Sequence, residues 1–219
     1  MKIIVPLNCN TVFALKESLS QIDGRVDIVE IWLDQIFQEF AANPMLALEI
    51  KRNLQHIQNT HGVQFTAVCK TSAENGRFGG DVFERQKILF QFLKLGGDFI
   101  DLDISQNPPE IINQIPNEKL WLSFHNFKDA NLENIKTQYK AMKKFTPFLY
   151  KFAVTPKNKK ELEDFINFAK NFSEQGIFTT MGALGSQGRD NLVNLTWGGF
   201  YALNEESKTA DGQPTLSNL

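Results

Sequence analysis

Cysteine, histidine and net charge are all scarce in this sequence, and each scarcity removes a class of function. The 219 residues include two cysteines and three histidines. Cys9 and Cys69 match no metal-ligand spacing and no disulfide framework, so two free thiols are expected and no metal or cofactor is implied. The formal net charge is −2, which offers no bulk positive field for nucleic acid or an acidic membrane surface. No apolar run is long enough to span a bilayer. Met1 to Asn10 lacks the apolar region and small-residue cleavage site of a signal peptide and reads as a first strand, so a cytoplasmic location is expected. No glycine-rich phosphate fingerprint follows an early strand. What the chain does have is an ordinary globular balance, 42% hydrophobic and 22% charged. Its 19 phenylalanines are dispersed, as in a well-filled core rather than a platform for stacked bases.

Short apolar runs alternate with amphipathic stretches along the whole chain. The strand candidates are residues 3–7, 28–34, 64–71, 99–104, 120–125, 149–154, 177–183 and 192–197. Helical patterns cover 12–22, 45–58, 82–96, 108–115, 132–145 and 159–175, the last ending at Gly176 as a C-cap. Strands alternating with helices imply a parallel sheet. Eight strand signals in a chain of this size predict one (β/α)8 TIM barrel over residues 1–219, with an open doubly wound sheet as the competitor. No linker divides it.

The most informative residue is Lys151, inside the apolar run Leu149–Val154. Lysine is rarely buried unless it is paired or chemically employed. Burial disfavours the ammonium, and a neutral amine attacks carbonyls to form a Schiff base. A lysine near a strand end can also simply snorkel to solvent. Strand parity separates the two readings. Residues facing the helices must be apolar, so the alternate set faces the barrel interior. Val29, Ile31 and Leu33 point outward and leave Glu30, Trp32 and Asp34 inside. By the same parity Asp101 and Asp103 lie inside on the fourth strand, Trp121, Ser123 and His125 on the fifth, and Lys151 on the sixth. Such groups are tolerable if they cluster at the C-terminal mouth and pair with each other or a ligand. His125 is the natural proton shuttle. His56 and His61 fall in or beside a helical pattern and take no role. No second inward histidine or cysteine neighbours His125, which argues against a metal site.

At this point the sequence resembles the type I 3-dehydroquinate dehydratases, over nearly its whole length and in order. Residues 3–7 resemble the family's opening strand, and DIVEIWLD (27–34) its second strand with an inward Glu and Asp. FIDLDI (99–104) resembles the strand with paired acids, SFHNF (123–127) the histidine segment and YKFAV (150–154) the lysine segment. TTMGALGSQGR (179–189) and TADGQPTLSNL (209–219) resemble the Met-to-Arg segment and the closing loop. The resemblance implies that Lys151 forms an imine with a cyclic keto acid and that His125 shuttles the proton. It implies that Arg189 binds the substrate carboxylate, that Gln213 and Thr209 sit on a closing loop, and that Met181 lines the pocket. Glu30, Lys70, Asp101 and Asp103 would orient Lys151 or the ring hydroxyls. The reaction implied is loss of water from 3-dehydroquinate in the shikimate pathway.

The chain departs from the family pattern in several places. Trp32 and Lys70 stand where arginines are usual, and a lysine keeps the charge but loses the guanidinium fork. The family's Glu-Gly-Gly is matched by Phe78-Gly79-Gly80, and the segment from Lys70 to Phe78 is longer than usual. An N-terminal hairpin and part or all of the last helix are expected to be missing. Apolar surface exposed that way would suit a homodimer. The departures leave two further readings, a related Schiff-base lyase or aldolase with another substrate, and a degenerate non-catalytic barrel.

Overall fold

The computed structural model describes residues 1–219, with the side chains of Phe40, Ala41, Ala42 and Asn218 excepted. Eight strands alternate with helices. They are β1 (Lys2–Leu7), β2 (Ile28–Trp32), β3 (Gln64–Val68), β4 (Phe99–Asp103), β5 (Leu120–Asn126), β6 (Leu149–Val154), β7 (Gly176–Thr180) and β8 (Gly198–Phe200). The helices are α1 (Val12–Leu19), α2 (Phe37–Ala42), α3 (Pro44–His61), α4 (Val82–Lys94), α5 (Pro109–Ile112), α6 (Leu132–Met142), α7 (Lys159–Lys170) and α8 (Gly185–Leu192). The hydrogen-bonded strand order is β7-β6-β5-β4-β3-β2-β1-β8. A further backbone bond, Trp197 N–H to Gly176 O at 2.8 Å, ties the approach to β8 back to the start of β7. Parallel strands in that order, the first seven each followed by a helical crossover, make a (β/α)8 TIM barrel. After β8 the described residues hold only two short 3-10 turns, Glu205–Ser207 and Leu216–Asn218.

The residues group into two compact units. One comprises Asp101–Gly199 with Met1–Lys2 and Ala210–Pro214; the other comprises Ile3–Ile100 with Phe200–Thr209 and Thr215–Leu219. In the second unit, Ile31 and Leu33 share an apolar cavity wall with Leu15 of α1, Ile50 of α3 and Phe92 of α4. That is the helix-facing parity expected for β2. In the first unit, Phe152 of β6 packs on Phe168, Phe172 and Phe178 with ring centroids 5.3, 5.8 and 5.7 Å apart. Its neighbour Lys151 therefore points to the opposite face. Removing the fully buried Phe152 ring would cost about 3–5 kcal/mol.

Local chemistry sets the helix ends. The Asp81 side chain accepts from Phe83 and Glu84 N–H, and Glu84 returns a bond to Asp81 N–H, a capping box that starts α4. Asn43 caps α3, with Pro44 in its first turn, and Gly62 at φ 71° ends it.

Four expectations are corrected. Residues 192–197 are not the eighth strand. Leu192 ends α8 and its carbonyl accepts from Leu195 and Thr196 N–H, a turn that leads into Gly198–Phe200. A Gly-Gly-Phe strand has too few side chains to show an alternation. Helix α7 stops at Lys170 with Asn171 as its C-cap, and Gly176 opens β7 instead. A Cβ on Gly176 would come within 2.8 Å of the Phe178 ring, so glycine is there for close approach rather than capping. Strands β2 and β3 end at Trp32 and Val68, which leaves Asp34 and Lys70 in the loops that follow. Helices α2 and α8 have no counterpart among the helical patterns.

Candidate active site

The first unit carries an acid–base cluster on three successive strands. Lys151 on β6 is in register with Ser123 on β5. Its Nζ donates to Asp101 Oδ2 at 2.7 Å, with the two side chains 4% and 1% exposed. Desolvation penalises both charges, and their attraction offsets it only because the contact is close. The close contact with Asp101 gives the lysine a buried partner, which a reading from burial alone does not include. Asp101 Oδ1 is buried and has no hydrogen-bond partner among the described residues.

His125 on β5 is held by Asp103 on β4. Asp103 Oδ2 accepts from the His125 backbone N–H at 2.8 Å and meets its ring Nδ1 at 2.9 Å. Asp103 Oδ1 accepts from Ser105 N–H at 2.8 Å and from Ser105 Oγ. Burial pushes the Asp103 carboxyl up, but the bonds from His125 and Ser105 more than offset this and hold it below the usual carboxylate range. Phe127 stacks on the His125 ring, centroids 6.0 Å apart and planes 12° apart.

Arg189 lies on α8 of the same unit. Its Nη1 donates to Thr180 O at 2.6 Å and its Nη2 to Asp211 O at 2.8 Å. Nε is buried without a hydrogen-bond partner among the described residues. The second bond fastens the segment that carries Gln213, which is 3% exposed. Gly212 has φ 66°, and a Cβ there would come within 2.8 Å of Arg189 Nη2. The positive φ is what calls for glycine here, since the Arg189 tip could give way to a Cβ. Met181 follows β7, half-buried, with its N–H on Val154 O.

The second unit holds the other expected residues, Glu30, Lys70 and Thr209. Glu30 is 2% exposed, and the Trp32 indole N–H donates to its Oε1 at 3.0 Å. That bond puts Glu30 and Trp32 on one face of β2, as parity requires. The Lys70 ammonium sits 3.8 Å from the Trp32 ring centroid, a cation–π contact within a buried pair. The two departures from the family pattern therefore touch each other. Phe78 is buried against Phe37. Asp34 accepts from Arg77 N–H at 2.9 Å.

Glu74 and Arg85 complete this unit's charged core and follow from no strand pattern. Glu74 Oε2 is 3.0 Å from Arg85 Nη1, with side chains 8% and 4% exposed, and also accepts from Thr71 N–H and Oγ1. The sequence signal for Glu74 is its position four residues after Lys70, followed by Asn75-Gly76. Asn75 adopts φ 61°, and Gly76 lies where a Cβ would strike Lys70. The acid of this loop is therefore Glu74, upstream of Phe78.

A family profile described as Type I 3-dehydroquinase matches residues 3–219. The chain belongs to the type I 3-dehydroquinase family. It is a hydro-lyase by that membership. A 3-dehydroquinate dehydratase of a Dehalococcoides mccartyi strain is 30% identical over 161 residues, covering 71% of this chain and 72% of that one. One from Streptococcus thermophilus is 26% identical over 228 residues, covering 100% and 96%. The fold resembles the crystal structure of a type I 3-dehydroquinate dehydratase from Clostridium difficile, with a TM-score of 0.81, 21% identity, and 99% and 89% coverage. Among the described residues no cluster of three histidines, cysteines or carboxylates could hold a metal ion. No helix among them is long and apolar enough to cross a membrane.

Proposed function

We propose that this chain removes water from 3-dehydroquinate, giving 3-dehydroshikimate, through an imine on Lys151. The observation that carries the reading is a buried lysine 2.7 Å from one aspartate, beside a histidine on the neighbouring strand that is paired with a second aspartate. The ammonium must lose a proton before it attacks, and Asp101 is the acceptor in contact with it. The amine adds to the ketone and a water leaves, forming the imine. The imine withdraws electrons from the adjacent carbon, and His125 takes its proton. The resulting enamine expels the hydroxyl one carbon further on, which leaves as water with the proton from His125. Water then hydrolyses the imine and frees Lys151, so the net change is loss of one water.

Arg189 suits the substrate carboxylate. Guanidinium has five donors, and two hydrogen bonds to backbone carbonyls use only part of that set. Gln213 and Thr209 close over the substrate, Met181 lines its pocket, and Glu30, Lys70 and Asp101 orient its hydroxyls or Lys151. Residues 1–219 act as one catalytic domain, cytoplasmic and homodimeric, in the shikimate pathway.

A second reading, a Schiff-base lyase with another substrate, draws on the Trp32–Lys70 contact, which replaces guanidinium recognition with an aromatic face and a single ammonium. One experiment separates them: a dehydratase assay on purified protein with borohydride added to the same sample. Water loss with a reduced adduct on Lys151 is the expected result. An adduct without water loss favours the second reading, and no adduct on Lys151 rejects both.

A further inference from the structure

We infer that Asp103 is the positioning residue of His125, fixing the ring as the Nδ1–H tautomer so that Nε2 is the nitrogen that takes the substrate proton. This rests on the proposed reading of His125 as the base. Sequence parity puts Asp103 among several inward acids, and the family resemblance gives it only a share in orienting Lys151 or the ring hydroxyls. The structure gives it a different partner. Both of its oxygens face fixed backbone donors, His125 N–H at Oδ2 and Ser105 N–H at Oδ1, each at 2.8 Å. The Ser105 hydroxyl adds a second bond to Oδ1. A carboxylate that accepts from this many donors stays ionised although it is 2% exposed. An ionised carboxylate has no proton to give, so the 2.9 Å contact with the ring can form only if Nδ1 carries hydrogen. Nε2 is then left with its lone pair.

The arrangement does two things at once. It selects the tautomer before substrate binds, and it sets a full negative charge against the imidazolium formed when His125 takes the proton. It also divides the acids of β4. Asp101 serves the lysine, and Asp103, two residues on and on the same face of the strand, serves the histidine.

Nitrogen-15 NMR of the wild-type protein tests the tautomer directly. The only other histidines, His56 and His61, are exposed and give reference signals. In its neutral form, His125 is expected to carry hydrogen on Nδ1 and none on Nε2; the opposite tautomer overturns the inference. Asp103→Ala is the second arm. Turnover should fall by about 10²-fold or more, while KM changes by less than about three-fold and borohydride still labels Lys151. Asp103→Glu should recover part of the loss. Turnover near wild type in Asp103→Ala rejects the positioning role even if the adduct forms. If Asp103→Ala does not fold, the wild-type tautomer decides alone. Absence of a Lys151 adduct in wild-type protein instead rejects the imine reading and leaves the tautomer result standing.

Discussion

Two buried ion pairs, one in each compact unit, look alike by burial and differ in how completely their carboxylates are satisfied. Glu74 Oε2 accepts from Arg85 and twice from Thr71. Asp101 holds Lys151 at 2.7 Å through Oδ2, while its Oδ1 is buried with no hydrogen-bond partner among the described residues. Arginine cannot give up its proton, so the Arg85 pair is permanently charged and its bonds organise a loop. Lysine can, so under the proposed mechanism the Lys151 pair is a resting state that imine formation would take apart. A carboxylate left short of partners is what a pair built for chemistry shows and a pair built for structure avoids. The difference between the two is open to experiment.

The largest effect is expected at Lys151. Lys151→Met should lower dehydration by about 10⁴-fold or more, the scale seen when a covalent nucleophile is removed, and should abolish borohydride labelling. It also strands the Asp101 carboxylate, at a cost of about 3–5 kcal/mol in denaturant unfolding. Retained turnover above that limit would make Lys151 a structural residue like Arg85.

Next in size is the other pair. Arg85→Met strands Glu74 and should likewise cost about 3–5 kcal/mol, read as a lower urea midpoint at unchanged slope. Turnover by the folded fraction should stay within a few-fold of wild type. A loss of activity without a loss of stability would erase the distinction between the pairs.

A smaller effect belongs to His125. His125→Ala should slow turnover by about 10²-fold, the low end for acid–base catalysis, while the imine still forms. A trapped adduct that accumulates faster than product leaves identifies the step that was lost. Near-normal turnover would move the base role elsewhere.

Which of these features can be read from the sequence follows from where each residue sits. Strand β6 spans the same residues, 149–154, that its apolar run delimits. Parity within such runs places Lys151, Asp101, Asp103 and His125 on interior faces. Parity does not say which acid takes which cation. That choice depends on strand stagger, visible only when Asp103 is seen against the His125 backbone N–H. Strand β8 is hidden because two of its three residues are glycine. Helix α8 is hidden because Gly185 and Gly188 weaken its propensity while serving close packing, a Cβ on Gly188 coming within 2.2 Å of Thr180 Oγ1. The Glu74–Arg85 pair joins a loop to a helix across ten intervening residues, where no periodicity operates. Arg189 and the Gly212–Gln213 segment are far apart in sequence and meet through a backbone carbonyl, a contact that side-chain patterns do not encode.

The smallest expected effect concerns the substituted residues of the second unit. Trp32 joins Glu30 through its indole N–H and Lys70 through its ring face. These two roles can be separated. Trp32→Phe keeps a face for the ammonium and loses the 3.0 Å hydrogen bond, which at about 1 kcal/mol predicts a rise in KM of roughly five-fold with little change in kcat. Trp32→Arg alone sets a guanidinium against the Lys70 ammonium without the ring between them, so it should bind substrate worse than wild type. Adding Lys70→Arg should recover binding, since two planar forks can share Glu30 and the substrate where a point charge and a fork compete. Measured as a double-mutant cycle, the coupling should lie at about 1 kcal/mol and be favourable in the double variant. Additive changes at the two positions would show that the cation–π contact is incidental and that each residue meets the substrate independently.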